Sequence, residues 1–260
     1  MSLDLALIRE AALEAGRLAK DLRAAGLDVQ RKPDGSLVTN ADFAVDALLK
    51  QRLLAARPDY GWLSEETADN PDRLSHRHVF NVDPIDGTQA YVKGRPWYAV
   101  CIAVIDGDQA GAGVVYAPEL DELYEASAGG GARLNGEAIR PSVRNDIEDA
   151  AMLGDAKMFA HPAWKTPWPP MRIESRNSVA YRMCLVAAGA FDAAVALSGK
   201  NDWDVAAPDI ICAEAGARAT DHKGRRFCYN RPVPRQASLV CAGPELHQLL
   251  LARVSHIELP

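Results

Sequence analysis

The sequence predicts an α/β protein that is α+β in its first half and α/β in its second. Two amphipathic helical periods open the chain, strands with tight Asp-Gly and Asn-Gly turns follow, and strands then alternate with helices. The 260 residues fill one large domain or two compact subdomains sharing an interface, and the pattern changes near residue 150. The expected division is 1–150, holding two helices and an antiparallel sheet, and 151–260, an α/β unit.

Leu5, Ile8, Ala12, Ala15, Leu18 and Leu22 recur at steps of three and four, so residues 2–25 predict a helix capped by Ser2 and stopped by Gly26. Asn40 to Arg57 predicts a second helix, with Val45, Leu48, Leu49 and Leu53 on one side and Pro58 beyond its end. Between them, Arg31-Lys32-Pro33-Asp34-Gly35-Ser36 reads as a mobile, turn-rich loop. His78–Val82 is a short strand that then enters a turn. Tyr98–Ile105 and Ala112–Tyr116 flank the hairpin turn Asp106-Gly107-Asp108, and Leu123–Ala126 precedes a turn at Asn135-Gly136. In the second half Ala151–Gly154 reads as a strand, Ser178–Gly189 as a helix, Phe191–Leu197 as a strand and Trp203–Ala215 as a helix ending at Gly216. Ser238–Cys241 is a further strand, and Pro244–Val254 a last helix with Pro in its first position. His161–Pro170 is a loop.

Hydrophobic residues make up 48% and charged residues 25%, ordinary for a chain with a sizeable core. A formal net charge of −6 argues against a nucleic-acid-coating surface. The five cysteines contain no Cys-x-x-Cys and sit mostly in apolar runs, which fits free buried thiols in a reducing compartment. No cationic stretch followed by an apolar one begins the chain, and no uncharged run approaches the ~18 residues of a membrane span. The expectation is a cytoplasmic protein with neither membrane nor nucleic acid as partner.

Chemistry concentrates in four places: Val38-Thr39-Asn40-Ala41-Asp42, Ser64-Glu65-Glu66, Asp83-Pro84-Ile85-Asp86-Gly87-Thr88, and Trp203-Asp204 at a helix start. Carboxylates in a tight turn after a strand, where Pro84 fixes φ and Gly87 allows close backbone approach, converge on a point. Such hard oxygen donors suit Mg²⁺, and the lack of histidine or cysteine in the motif argues against zinc. If a helix starts at Thr88, its free N–H groups face the same cavity and can hold an anion. Metals beside such an anion site suit hydrolysis of a phosphate ester. Asp83 and Asp86 are three residues apart, not two, which counts against an aspartyl-phosphate mechanism.

In their order along the chain, the Glu-Glu pair, Asp-Pro-Ile-Asp-Gly-Thr and Trp-Asp resemble the metal signature of the inositol monophosphatase superfamily, over Lys32 to about Cys241. The resemblance implies a layered α-β-α-β-α sandwich and two or three Mg²⁺ ions. It implies that Glu65, Asp83 and the Ile85 carbonyl hold one Mg²⁺ and that Asp83, Asp86 and Asp204 hold a second, with Glu65 near a weaker third. Thr88 and Glu65 would orient and deprotonate water, Asp42 would hold Thr88, and the Gly87 and Thr88 amides would take the phosphate. Direct attack by water without a phosphoenzyme, lithium inhibition and a homodimer are further implications. Glu66 is either a solvated neighbour or a ligand. Lys32 is either part of a loop that approaches the metals or a surface lysine, and Ser178 either a helix N-cap or part of the pocket lining.

For the substrate, the position where inositol monophosphatases carry a Glu that contacts an inositol hydroxyl is Leu197, which accepts no hydrogen bond. Leu63-Ser64-Glu65-Glu66, Gly113-Val114-Val115-Tyr116-Ala117-Pro118 and Tyr229-Asn230-Arg231-Pro232 look more like the bacterial 3'(2'),5'-bisphosphate nucleotidase branch, which implies 3'-phosphoadenosine 5'-phosphate as substrate. Arg231, Arg226 and Lys200 are then candidates for its second phosphate. Inositol 1-phosphate or another sugar or polyol phosphate is the alternative. A non-catalytic metal-binding regulatory protein is a more remote one, since Glu65, Thr88 and Asp204 are all in place.

Overall fold

The computed structural model describes residues 3–259. Its elements, in chain order, begin with helix α1 (Leu3–Ala25), strands β1 (Val29–Arg31) and β2 (Leu37–Thr39), and helix α2 (Asn40–Ala56). Then come β3 (Gly61–Ser64), β4 (His78–Asp86), helix α3 (Thr88–Val92), β5 (Ala99–Asp106), β6 (Gln109–Ala117), β7 (Glu122–Ser127), β8 (Ala132–Leu134) and β9 (Glu137–Ala138). The rest is β10 (Ala151–Leu153), α4 (Ala156–Phe159), β11 (Arg172–Glu174), α5 (Val179–Ala187), β12 (Ala193–Ala196), β13 (Lys200–Asn201), α6 (Asp202–Ala215), β14 (Arg218–Thr220), β15 (Arg235–Gln236), β16 (Leu239–Ala242) and α7 (Pro244–Val254).

Two sheets and three helical layers alternate. Helices α1 and α2 bury Ile8, Ala12, Leu49 and Leu53 against Phe80, Val82, Ile102 and Val114 on one face of the seven-stranded sheet β3-β4-β5-β6-β7-β8-β9. Its other face, through Cys101, Ala103 and Val115, shares a core with α5, α6 and the five-stranded sheet β11-β10-β12-β16-β14. The outer side of that smaller sheet packs Met152, Val195 and Val240 on Leu246, Leu250 and Val254 of α7. This is an α-β-α-β-α sandwich. Helix α6 lies close on β6 because Gly113 has no side chain: a Cβ there would stand 2.5 Å from the Ala207 carbonyl. The glycine thereby sets the depth at which α6 presents Asp204.

Several expectations need correction. The proposed Ser2 cap lies outside the described residues. The segment 31–36 is not a free loop but the tip of an antiparallel hairpin, Val29 pairing with Thr39 and Arg31 with Leu37. All of β1 is exposed, so no alternation marked it. Strand β4 does not stop at Val82; it continues through the acidic motif to Asp86. The parallel strand β3 was not expected as an element, whereas the helix considered at Thr88 is present as the short α3. In the smaller sheet β10, β11 and β12 are parallel, but β16 runs antiparallel to both of its neighbours, β12 and β14.

Candidate active site

Asp83 and Asp86 would ordinarily point to opposite faces of a strand, being an odd number of residues apart. They do not, because β4 is bulged between them: Asp83 pairs with Cys101 and Asp86 with Ala99, so three steps on β4 match two on β5. The bulge puts both carboxylates on one side. Pro84, which has no N–H to give a ladder, occupies the bulge. The Asp83 carboxylate also accepts the Ile85 amide at 3.0 Å, which fixes its rotamer.

Gly87 then takes φ +94°, a left-handed value, and starts α3; a Cβ there would also stand 3.0 Å from the Ser178 amide and the Trp97 carbonyl. Thr88 opens the helix, and its Oγ1 lies 3.1 Å from both an Asp42 carboxylate oxygen and the Ile85 carbonyl. Its single hydrogen serves one of them at a time. Asp42 is fixed by a capping box at the start of α2, where its other oxygen accepts the Thr39 amide at 2.8 Å and hydroxyl at 2.6 Å. Burial outweighs these bonds and raises the Asp42 carboxyl above its ordinary value.

Glu65 enters from the end of β3, and Asp204 from the first turn of α6, where it accepts the Asn201 amide at 2.8 Å. One carboxylate oxygen each from Glu65, Asp83 and Asp204 lie within 4.8 Å of one another. They line a cavity of about 370 Å³ together with Asp86, Gly87, Thr88, Gln89 and the hairpin residues Arg31, Gly35, Ser36 and Leu37. Asp86 stands beside this trio with one oxygen committed, since its Oδ2 accepts the Ser178 hydroxyl at 2.6 Å and the Ala180 amide at 2.7 Å. Only Oδ1 is left for a cation.

The cluster is crowded with like charge. Burial, then Glu65, Asp86 and Asp204, pushes the Asp83 carboxyl well above the usual carboxylate range. Burial and then Asp86 raise Asp204 to about 8. Asp86 rises to about 6 through burial, against the Ser178 and α5 amide bonds. Buried carboxylates this close stay ionised together only with cations among them, and an all-oxygen set is what a hard divalent ion prefers. The residues present therefore fit Mg²⁺.

Lys32 is neither free surface nor loose: its Nζ bridges Glu65 and Glu66 at 2.8 Å each. Against the pull of burial, the two carboxylates hold its ammonium above its ordinary value. Glu66, read from sequence as a solvated neighbour or a ligand, is instead a buried partner of Lys32, and burial lifts its carboxyl to about 7. Ser178 is the cap of α5, accepting the Tyr181 amide; fully buried, it does not line the cavity but holds Asp86 through its hydroxyl. Leu197 lines not this cavity but two neighbouring ones, and Lys200 lies in the nearer of them. Arg226 pairs with Asp108 at the surface and Arg231 donates to the Arg235 carbonyl; neither lines the acidic cavity or the nearer one.

Two supporting residues were missed. Asp46, four residues after Asp42 on α2, accepts the Ser64 and Thr67 hydroxyls at 2.5 Å and so braces the turn that carries Glu65 and Glu66. The i, i+4 spacing of Asp42 and Asp46 was the available signal. Arg182 is the one charged residue in the apolar helix α5, and it donates to the Ser178 carbonyl at 3.3 Å.

The model of the inositol monophosphatase family matches residues 3–259. A histidinol-phosphatase from Chlorobaculum parvum is 33% identical over 232 residues, covering 87% of this chain and 88% of that protein. An inositol-1-monophosphatase from Mesorhizobium japonicum is 33% identical over 226 residues, covering 83% and 84%. The crystal structure of the extragenic suppressor protein suhB from Bartonella henselae superposes with a TM-score of 0.84 at 27% identity, covering 97% of this chain and 98% of that one.

Proposed function

The chain belongs to the inositol monophosphatase family, an Mg²⁺-dependent phosphomonoesterase family, and on that premise we propose that it hydrolyses 3'-phosphoadenosine 5'-phosphate to AMP. The observation that carries this reading is Leu197, an apolar side chain at the position expected to hold a polyol-binding carboxylate. A site that pairs a substrate hydroxyl discriminates strongly by that bond, and Leu197 cannot make it. The three stretches that resemble the nucleotidase branch support the same substrate. A second reading, inositol 1-phosphate or a related polyol phosphate, is favoured by the 33% identity to the Mesorhizobium japonicum inositol-1-monophosphatase.

Glu65, Asp83 and the Ile85 carbonyl would hold one ion, and Asp83, Asp204 and the Asp86 Oδ1 a second. Bound Mg²⁺ would supply Lewis-acid stabilisation of phosphoryl charge and acidify water. Asp42 keeps the Thr88 hydroxyl in place, and Thr88 with Glu65 orients the attacking water and takes its proton. The Gly87 and Thr88 amides, at the start of α3, receive the phosphoryl oxygens. Lys32 tethers the β1–β2 hairpin, whose residues line one side of the cavity, to Glu65 and Glu66. The spacing of three between Asp83 and Asp86, where an aspartyl-phosphate mechanism needs two, supports direct attack by water without a phosphoenzyme.

Four of the five cysteines are buried and all are free, which supports a reducing, cytoplasmic setting. No described helix is long and apolar enough to cross a membrane. Inhibition by Li⁺ and a homodimer complete the proposal. The deciding experiment compares kcat/KM on 3'-phosphoadenosine 5'-phosphate, inositol 1-phosphate and histidinol phosphate in Mg²⁺. The nucleotide should lead; a lead for inositol 1-phosphate would select the second reading.

A further inference from the structure

Strand β4 turns successive side chains to opposite faces of the larger sheet. Phe80 and Val82 pack toward α1 and α2, so Val79, Asn81 and Asp83 face the core shared with α5 and α6. Asn81 is therefore the neighbour of Asp83 along that face. Across the strands it stands between Leu63 of β3 and Ala103 of β5, both apolar. It is 2% exposed, yet neither its Oδ1 nor its Nδ2 has a hydrogen-bond partner. Among the described residues, no other side chain leaves two buried polar atoms unpaired.

An amide in a core with nothing to bond is costly, and a leucine of the same shape would avoid that cost. The amide's place on the strand suggests its use. Residues two apart on a strand lie about 6.7 Å from each other, and a water with hydrogen bonds of about 2.8 Å to each side spans most of that. Ala103, with a single side-chain carbon, leaves room beside the amide for such a water. At the other end, Asp83 accepts the Ile85 amide on Oδ1, and no described side chain donates a hydrogen bond to it. Asp83 is also the carboxylate placed to hold both ions, so its orientation bears on each of them. Groups that hydrogen-bond a metal ligand from behind fix its orientation and tune its affinity.

We propose that Asn81 is a positioning residue of the metal site: its amide holds a water that hydrogen-bonds the Asp83 carboxylate and orients it toward the cavity. The Nδ2 donates to the water, and the water donates to the carboxylate. The inference rests on the phosphatase reading and adds to it a residue that touches neither substrate nor cation.

The test replaces Asn81 by Leu, which keeps the shape and removes both polar atoms. Calorimetric titration of Mg²⁺ into substrate-free protein should show binding about tenfold weaker in Asn81→Leu, the lower end of the loss expected behind a metal ligand. The melting temperature in chelator should not fall, because an amide without a protein partner is exchanged for an apolar group. At saturating Mg²⁺, KM should stay within about twofold of wild type, since Asn81 does not line the acidic cavity. Asn81→Ser, whose hydroxyl both donates and accepts, should keep Mg²⁺ binding within about threefold of wild type, while Asn81→Ala should lose it as Leu does. The Ser and Ala pair carries the test if Asn81→Leu fails to fold. Mg²⁺ binding within about twofold of wild type in Asn81→Leu would overturn the role. Equal weakening in the Ser and Ala variants would overturn it as well, because packing alone would then explain the loss. A wild-type protein that binds no Mg²⁺ would instead overturn the metal reading on which the proposal rests.

Discussion

The acidic cavity and the basic cavity next to it are unbalanced in opposite senses. In the first, Glu65, Asp83, Asp86 and Asp204 crowd together, and burial, with like charge beside Asp83 and Asp204, raises the carboxyls of Asp83, Asp86 and Asp204. In the second, Arg182, Lys200 and Arg235 find no carboxylate partner among the described residues. Ser178 stands between them, its hydroxyl on Asp86 and its carbonyl on Arg182. Such opposite imbalances suit different guests, cations on the acidic side and an anion on the basic side. On that division of labour, changes in the acidic cavity should act on every substrate alike.

The sharpest break in that comparison is Asp83→Asn. It removes the charge at the centre of the trio while keeping an oxygen to accept the Ile85 amide, and kcat should fall on the order of 10³-fold on every substrate alike. Steady-state kinetics on a mono- and a bisphosphate checks this, and a loss confined to one of them would contradict the division of labour. Asp86→Asn is a poorer probe, because the Asp86 Oδ2 also anchors the start of α5 through Ser178 and Ala180.

Thr88→Val comes next. It keeps the shape of the side chain but loses the hydroxyl that Asp42 holds, and kcat should drop roughly 10- to 100-fold, the range seen for groups that orient metal-site chemistry. KM should change little, because the amides of α3 remain. A rise in KM with kcat preserved would assign Thr88 to binding instead.

The smallest effect is thermal. In metal-free protein Asp86 and Asp204 have folded values of about 6 and about 8, above the ordinary carboxyl value, so the folded state keeps protons that the unfolded chain has already released. Stability should therefore be greatest below about pH 4 as far as these groups are concerned, and fall as pH rises toward about 8. Melts in chelator should show Tm lower at pH 8 than at pH 5 by roughly 5 °C or more, and excess Mg²⁺ should flatten the slope. A Tm in chelator that rises over this interval would mean the carboxylates are already compensated by the protein.

The two cavities also differ in how far the sequence reveals them. Most of the acidic side is local: Asp83 to Thr88 form one unbroken segment, and Glu65 and Asp204 sit in short, unusual contexts. The bulge that makes the segment work is not legible, since a spacing of three reads as opposite faces until the pairing with Cys101 and Ala99 is known. The hairpin that delivers Lys32 is not legible in the sequence because its first strand is only three residues long and fully exposed. On the basic side nothing is local. Arg182 could be picked out as a lone charge in an apolar helix, but its neighbours Lys200 and Arg235 belong to the paired strands β13 and β15 and meet it only in the folded chain. Arg226 and Arg231, equally cationic in sequence, are tied up elsewhere.

The central claim is that the Glu65, Asp83 and Asp204 cluster acts through bound Mg²⁺ on a phosphate monoester. Its most direct test is release of inorganic phosphate from 3'-phosphoadenosine 5'-phosphate as Mg²⁺ is titrated into chelator-treated protein. The account predicts no turnover in chelator and saturable activation by Mg²⁺, with both lost in Asp83→Asn. Turnover that persists undiminished in chelator, or in Asp83→Asn, would contradict it.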